Sequence, residues 1–365
     1  MKRRGVLKAG VTGAAVAGAV AGLAAPALSQ GRVEWRMVTS WPRNLPGTGS
    51  GANKVAERIG QATGGRITVR VFAAGEVVPA FGVFDAVSQG TVDLYHSTPH
   101  FWFSRSRAAS IIGSFPFGLM TTELTAWLRN AGGQAMWDEL YARFNLKPFL
   151  CGNSGPQWSG FFRRELATPD DLRGLRFRAG GLVGGMYQRL GASVVQMPVG
   201  EVFQALQAGT IDAAEFAGPW ADGPLGFGRV ARFYYRPCGQ EPSASLETVI
   251  NKPKFDALPD DLKAAVRFAC EGFNEESVAE WDHFNPQALR QIVETQNVQV
   301  RSMPEPIVRA MAEAAATFIR ELREDPDALN KRIIESYIAY RNSAVGYVGE
   351  AYAPVHAGRA MVAWG

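Results

Sequence analysis

The chain has 365 residues, 47% hydrophobic and 20% charged, a length for about two domains and a composition able to bury a sizeable core. Its formal charge of +4 is gathered at the start: Lys2, Arg3, Arg4 and Lys8 are the charged residues of the first 29, and without them 34 basic residues face 34 acidic ones. A near-neutral body excludes the basic face that nucleic-acid binding requires.

Residues 1–29 are laid out as a signal peptide, with a basic start, an Ala/Gly/Val-rich run from Ala9 to Ala25 and a small-residue site at Ala27-Leu-Ser29. Lys2-Arg-Arg-Gly-Val-Leu-Lys8 resembles a twin-arginine signal, departing from it at Lys2 and Val6. A Sec signal and a retained anchor are the alternatives. The run is short, glycine-rich and weakly hydrophobic, which favours cleavage over anchoring. The expected body is soluble and lies outside the cytoplasm.

In chain order, Val33–Thr39 alternates as a first strand. A Pro/Gly-rich loop carrying Trp41 follows, then a helix over 53–62 ended by Gly64-Gly65, and a strand over 66–72. Asp85 to Leu94 reads as helix, glycine, strand, so the opening is a βαβ unit with a parallel sheet. His100-Phe-Trp-Phe103 follows a strand end and either lines a crevice or packs on its own lobe. Residues 122–144 are expected as one helix, with Trp127, Leu128 and Trp137 on its apolar face. At Gly152-Asn-Ser-Gly-Pro-Gln157 the composition turns to small residues, which marks a first crossing between lobes. Trp158–Arg163 resumes as strand.

Leu172-Arg-Gly-Leu-Arg-Phe-Arg178 and Met197–Phe216 organise the rest, reading as strand, helix, short strand, helix, strand. Gly209 stands where a C-cap glycine would. The last strand delivers Glu215 and Phe216 to its C-terminal edge, where open α/β sheets bind ligands. Arg178 and Glu215 are thus expected to face one crevice from successive strand ends. Ala86-Val-Ser-Gln-Gly-Thr-Val-Asp93 and Ala205-Leu-Gln-Ala-Gly-Thr-Ile-Asp212 share a grammar, each preceded by Gly-Glu-Val. That repeat predicts two lobes of related construction.

Gly218–Gly226 reads as a loop, 233–235 as a strand and Gly239-Gln-Glu241 as a second crossing. A strand over 246–252 precedes a helical segment, 259–296, broken at Asn285-Pro286. Helices over 304–323 and 330–347 close the chain; the last carries Ile333, Ile334, Tyr337 and Ile338 on one side and either clasps both lobes or reaches a partner subunit. The three cysteines leave one unpaired, so a Cys151–Cys238 bridge and buried free thiols both stand. His96, His100, His283 and His356 have no zinc-enzyme spacing.

Taken together, Leu172–Arg178, Gly200-Glu-Val-Phe and Gly209-Thr-Ile-Asp-Ala-Ala-Glu215, with Ser40-Trp-Pro, Gly75-Glu76 and Gly90-Thr-Val-Asp93, resemble the signature of the solute-binding proteins of tripartite ATP-independent periplasmic (TRAP) transporters. The resemblance runs from Val33 to about Tyr347. Asn153-Ser-Gly-Pro-Gln157, Phe162-Arg-Arg-Glu165, Gly218-Pro219 and Leu225-Gly-Phe227 resemble its 2-oxo-acid-binding branch. It implies an α/β, type II-like periplasmic binding fold: two lobes, a cleft that closes on a carboxylate, and a long C-terminal helix. The implied division is a first lobe over 30–152 with a return segment 246–303, a second over 153–245, and C-terminal helices over 304–365 that clasp the lobes or dimerise.

By the same resemblance Arg178 pairs with the ligand carboxylate, which suits the planar guanidinium fork. Gln157, Glu215, the Phe216 carbonyl and Glu241 would hold a metal ion, and such oxygen ligands suit Ca²⁺ or Na⁺. Asn153 and His100 are further implied site residues; Trp41, Phe101, Trp102, Phe162 and Trp220 are candidate wall residues, with core packing as the alternative for each. Phe216 and His100-Phe101 depart from the branch, which has Trp and tyrosines there, so the bound acid is expected to be larger or more apolar than pyruvate. The expected function is capture of a small 2-oxo or 2-hydroxy acid for a membrane permease, without catalysis. A sensor presenting a bound acid to a receptor, and a secreted metal-dependent enzyme using Glu215 and Glu241, are the alternatives. No Ser-His-Asp, Cys-His or phosphate-loop pattern supports the enzyme.

Overall fold

A computed structural model describes residues 32–362; the predicted signal peptide lies outside the described residues. The first half of the chain runs β1 (Val33–Thr39), α1 (Gly49–Ala62), β2 (Ile67–Phe72), α2 (Val83–Ser88), β3 (Leu94–Ser97), a 3-10 turn (Pro99–Trp102), α3 (Arg107–Gly113), α4 (Thr121–Asn130), α5 (Gly133–Ala142) and β4 (Leu146–Asn153). The middle runs β5 (Gly160–Phe162), β6 (Arg176–Arg178), α6 (Gly181–Arg189), β7 (Ser193–Val195), α7 (Val199–Ala208), β8 (Ala213–Ala214), α8 (Pro219–Leu225), β9 (Phe233–Tyr235) and β10 (Ser245–Asn251). The remainder is α9 (Lys252–Asp256), α10 (Asp260–Gln296), β11 (Gln299–Arg301), α11 (Glu305–Arg323), α12 (Ala328–Ala351) and α13 (Ala353–Ala360).

The strands form two sheets, ordered β2-β1-β3-β10-β4 and β11-β9-β5-β8-β6-β7. In the first, β1, β2 and β3 are parallel, as the βαβ opening predicts, and β10 runs antiparallel between β3 and β4. In the second, β6 lies parallel to β7 and β8 while β5 runs antiparallel to β8 and β9. The two sheets, helix-covered, are the two lobes. The segment expected to return wholly to the first lobe, 246–303, divides: β10 completes the first sheet, but β11 pairs with β9 in the second.

The internal repeat is a shared hydrogen-bond pattern. In the first copy Thr91 N–H donates to the Ala86 carbonyl at 2.9 Å and Asp93 N–H to the Arg36 carbonyl at 3.2 Å. In the second, Thr210 N–H donates to the Ala205 carbonyl at 3.0 Å and Asp212 N–H to the Arg176 carbonyl at 2.7 Å. The carboxylates return the contact: Arg36 N–H donates to Asp93 at 2.6 Å and Arg176 N–H to Asp212 at 3.1 Å. Each Gly-Thr-hydrophobe-Asp therefore locks a helix exit onto a neighbouring parallel strand. Gly209 takes φ 71° at the end of α7, as a C-cap glycine must.

Three expectations need correction. The helix predicted over 122–144 is two, α4 and α5, separated where Gly132 takes φ 80°. The loop predicted over 218–226 contains α8, which begins with Pro219 at its first position, where a missing N–H costs nothing. The break predicted at Asn285-Pro286 is absent, and α10 runs 37 residues through Pro286. Packing against α1 and β4 near one end and α8 near the other outweighs the single hydrogen bond that proline removes.

The C-terminal helices divide between the lobes. Ile307, Met311 and Ala315 of α11 share a core with Phe177, Met186 and Tyr187 of the second lobe. Leu329, Ile333, Ile334 and Tyr337 of α12 share one with Trp127, Leu128 and Trp137 of the first. All three cysteines are free thiols: Cys151 lies against Cys270, and Cys238 bonds to the Ser159 hydroxyl at 3.3 Å. Among the described residues no helix is long and apolar enough to cross a membrane.

Candidate functional site

Register brings the predicted arginine and glutamate together. Arg178, the last residue of β6, pairs with Ala214 of β8, so Glu215 emerges beside it, and Glu215 N–H donates to the Arg178 carbonyl at 3.1 Å. The guanidinium is 2% exposed. Its Nη1 donates to the Glu215 carbonyl and, at 3.2 Å, to Glu215 Oε1, while Nε donates to the Met197 carbonyl at 3.3 Å. Protein acceptors thus engage Nε and Nη1, and Nη2 is the one guanidinium nitrogen without one among the described residues.

The two predicted crossings meet the Glu215 strand end. Gln157 N–H donates to the Glu241 carbonyl at 2.9 Å, and Trp158 N–H to the Ala217 carbonyl at 2.9 Å. The Gln157 side-chain amide reaches 2.6 Å from Glu241 Oε2 and 2.9 Å from the Phe216 carbonyl. As placed, its oxygen faces both acceptors; turned over, its NH₂ donates to both and its oxygen accepts from Ser154 Oγ at 3.2 Å, which satisfies the protein groups without a further partner. Only in the first orientation would the oxygen be available to a cation. Glu215 and Glu241 are each 4% exposed and lie side by side. Burial raises both carboxyls above the usual range; Glu241 rises further because the Glu215 charge adds to it, while Arg178 pulls both the other way. Two buried carboxyls beside one arginine are short of positive charge. Among the described residues no three His, Cys, Asp or Glu side chains cluster, so any metal here would draw on amide and carbonyl oxygens as well as carboxylates.

Trp41, His100, Phe101, Gln157, Arg178 and Phe216 line one cavity between the lobes. Trp41 of the first lobe meets Phe216 of the second edge-on at 5.9 Å, and Phe101 at 5.5 Å. Phe216 also lies beneath the guanidinium of Arg178, 5.9 Å from its ring centre. The cavity measures about 20 Å³, room for about one water, so even a small acid enters only as the lobes part. The His100 Nδ1 pairs with Thr98 Oγ1 at 2.9 Å. Burial, and then the Arg178 charge, lower its pKa to about 3, so the imidazole is neutral at physiological pH. At the cleft mouth the two Gly-Glu-Val segments face each other: Gly75 and Val77 line the same cavity, about 470 Å³, as Gly200 and Glu201.

Glu215 and Glu241 do not line the cavity themselves but contact Arg178 and Gln157, which do; Asn153 and Trp220 stand farther from it. Asn153 braces the first crossing, accepting from Gly155 N–H at 2.9 Å and from Thr121 Oγ1 at 3.3 Å. Trp220 packs on α10, stacked on Phe284 at 4.8 Å and edge-on to Trp281 at 5.2 Å. Of the wall candidates, Trp102 donates to Glu247 at 2.6 Å inside the first lobe, and Phe162 stacks on Phe177 in the second.

Sequence reasoning missed Thr48, whose hydroxyl lines the cavity, buried without a partner like the Trp41 indole N–H. It also missed Asp222, which accepts from Ala217 N–H at 3.2 Å and from the Tyr234 hydroxyl at 2.7 Å, holding the turn after Phe216. Proximity to Ser40-Trp-Pro was the only signal for Thr48; Asp222 sat in a stretch read as loop.

Two α/β lobes meeting over a buried, half-committed arginine define a cleft-type binding protein. Residues 37–325 match the DctP family, described as bacterial extracellular solute-binding protein, family 7, and the chain belongs to that family. It is 37% identical over 309 residues to a monocarboxylate 2-oxoacid-binding periplasmic protein from Nostoc, covering 85% of this chain and 84% of that one. Among solved structures it is similar to a TRAP transporter solute-binding protein from Bordetella bronchiseptica, a mixed-occupancy dimer with copurified calcium and picolinate (34% identity, TM-score 0.86, 90% of this chain and 99% of that one). It is also similar to a TRAP periplasmic solute-binding protein from Pseudoalteromonas atlantica with bound sodium and pyruvate (30% identity, TM-score 0.84, 88% and 97%).

Proposed function

We propose that this protein is the periplasmic receptor of a TRAP transporter and captures a small 2-oxo or 2-hydroxy monocarboxylate together with a metal ion for delivery to a membrane permease. The convergence of the Gln157 amide, the Phe216 carbonyl and Glu241, beside Glu215 and the unengaged Nη2 of Arg178, carries the reading. Arg178 takes the ligand carboxylate. Gln157, Glu215, the Phe216 carbonyl and Glu241 hold the cation, whose positive charge anchors the acid. Glu215, Glu241, Arg178 and a monocarboxylate carry a net charge of about −2, which a divalent ion neutralises. The relatives support either calcium or sodium, and charge balance favours calcium.

The work done is binding, not turnover. Trp41, His100 and Phe101 on one lobe and Arg178 and Phe216 on the other meet only in the closed state, so a ligand touching both sets stabilises closure. The first lobe runs to 152 with the return beginning at 246, and the second takes 153–245 with β11 added. Export of the folded chain follows the twin-arginine route.

A second copy of the chain covers the groove between α4, α12 and α13. Met120, Tyr340, Tyr347 and Tyr352 line a depression of about 860 Å³, and α13 buries none of its own residues, so it lacks the apolar contact that stabilises a short helix. The dimeric relative supports the same reading.

The test is thermal unfolding of the protein purified from periplasm against pyruvate, 2-oxobutyrate, 4-methyl-2-oxopentanoate, dicarboxylates and sugar acids, each with EDTA, calcium or sodium. A binder raises the midpoint by mass action. A rise with 2-oxo acids that EDTA removes and calcium restores is expected. A rise only with dicarboxylates or sugar acids would overturn the ligand class, and one indifferent to EDTA would overturn calcium.

A further inference from the structure

The end of α3 and the chain that leaves it toward α4, residues 112–119, form a strap that touches both the second crossing and the C-terminal helix α12. One edge holds the second crossing on both sides of Glu241. Phe117 N–H donates to the Gly239 carbonyl at 2.7 Å. Beyond Glu241, the Ser243 hydroxyl donates to the Leu119 carbonyl at 3.0 Å and the Ser245 hydroxyl to the Ile112 carbonyl at 2.8 Å. From Glu241 the path continues into Gln157, whose N–H donates to the Glu241 carbonyl at 2.9 Å.

The other edge of the strap is held by α12. The Tyr337 hydroxyl accepts from Leu119 N–H at 2.8 Å, and Arg341 Nε donates to the Phe117 carbonyl at 2.9 Å. Between these bonds Phe117 takes φ 55°, a left-handed conformation that a bulky residue adopts only when its surroundings impose it. A Cβ at Gly118 would stand 2.4 Å from the Tyr337 hydroxyl, so glycine is what lets the helix approach this closely. Release Phe117 to an ordinary φ and its N–H no longer points at Gly239. Neither Tyr337 nor Arg341 lines the cavity.

We infer that Tyr337 and Arg341 are positioning residues for the Gln157–Glu241 pair, acting from α12 through the 112–119 strap. This rests on the proposal that the pair belongs to the ligand and metal site.

The experiment compares Tyr337→Phe, Arg341→Gln and Arg341→Lys with Leu329→Ala, a cavity-forming control on the same helix. Two quantities are read: calorimetric Kd for pyruvate, 2-oxobutyrate and 4-methyl-2-oxopentanoate with calcium, well below the unfolding midpoint, and hydrogen exchange at the Phe117 and Gln157 amides without metal or ligand. Expected for Tyr337→Phe and Arg341→Gln are a Kd weaker by about tenfold or more, which is about 1.4 kcal/mol, and faster exchange at both amides. Arg341→Lys should recover part of each, and Leu329→Ala should lower the midpoint while moving neither. Wild-type Kd and wild-type Gln157 exchange in both variants would overturn the inference, as would equal changes in the control. If the wild type binds none of the three acids, the ligand assignment has failed, and the exchange data alone decide the positioning role.

Discussion

The side-chain amide of Gln157 stands 2.6 Å from Glu241 Oε2, although one residue follows the last-but-one strand of the first lobe's sheet and the other precedes its return strand. Glu241→Gln replaces a buried acid by a neutral isostere. At pH 8 the ligand-free variant is expected to unfold at a higher temperature than wild type, because a carboxylate beside Glu215 no longer has to be desolvated. Its midpoint should no longer respond to calcium or EDTA. Calorimetric scans with and without calcium check both halves.

Arg178 offers a sharper test as lysine than as alanine. Its guanidinium is buried against Glu215, so Arg178→Ala leaves an uncompensated carboxylate and is expected to cost about 3–5 kcal/mol of stability. Arg178→Lys keeps the charge and loses the fork, so it should remain folded by circular dichroism while carboxylate affinity falls by about tenfold or more in titration calorimetry, given that bidentate recognition belongs to arginine. An unchanged affinity would remove Arg178 from the site.

On the proposed reading, Phe216 and Trp41, which meet across the cleft, set the size of what it accepts. Phe216→Leu should shift preference toward the longer acid. The ratio of Kd values for 4-methyl-2-oxopentanoate and pyruvate is expected to fall by about tenfold, within the about 1–3 kcal/mol that a methylene in an apolar pocket is worth. An unmoved ratio would mean that the ligand's side chain points elsewhere.

Glu247 makes the stability of the first lobe depend on pH. Its Oε1 accepts from the Tyr95 hydroxyl at 2.9 Å and the Trp102 indole at 2.6 Å, inside the fold. Burial raises its carboxyl to about 7. The folded state therefore holds a proton that the unfolded chain releases above the ordinary glutamate range. That contribution is complete below about pH 4 and is lost as pH rises through 7, by about 1.4 kcal/mol per unit between those limits. Denaturation series at pH 5, 6, 7 and 8 should show stability falling with pH in wild type, with Asp222, also raised to about 7, adding to the slope, and a shallower fall in Glu247→Gln.

Association is tested at the α12–α13 groove. Tyr347 is 64% and Val355 56% exposed, so a Tyr347→Glu, Val355→Glu double variant should fold normally and sediment as a monomer where wild type sediments as a dimer. A monomeric wild type would remove the second copy from the groove.

Local pattern carried much of the architecture. Alternation at Val33–Thr39, the C-cap at Gly209 and the paired Gly-Thr-hydrophobe-Asp segments are short-range features. Each is decided by sterics and hydrogen bonds within a few residues, or by a strand that the pattern itself announces. For the same reason Arg178 and Glu215 were legible as neighbours: both lie at the ends of strands whose order follows from one connecting unit.

Competing long-range packing governed the places where local rules failed. Pro286 reads as a breaker, yet α10 passes through it because it packs against α1, β4 and α8. For Trp220 the sequence leaves cleft wall and core packing both open, and α10 claims it by stacking.

By itself, then, the sequence determined that this is an α/β protein of two related halves, with a near-neutral body and an arginine and a glutamate leaving adjacent strands. Only the tertiary structure decided that Gln157 and Glu241 meet, that Trp41 reaches Phe216 across the cleft, and that Tyr337 and Arg341 bond the strap that holds the second crossing. Those contacts join segments far apart in the chain. No local periodicity encodes them, because they exist only once both sheets, the crossings between them and the C-terminal helices have packed.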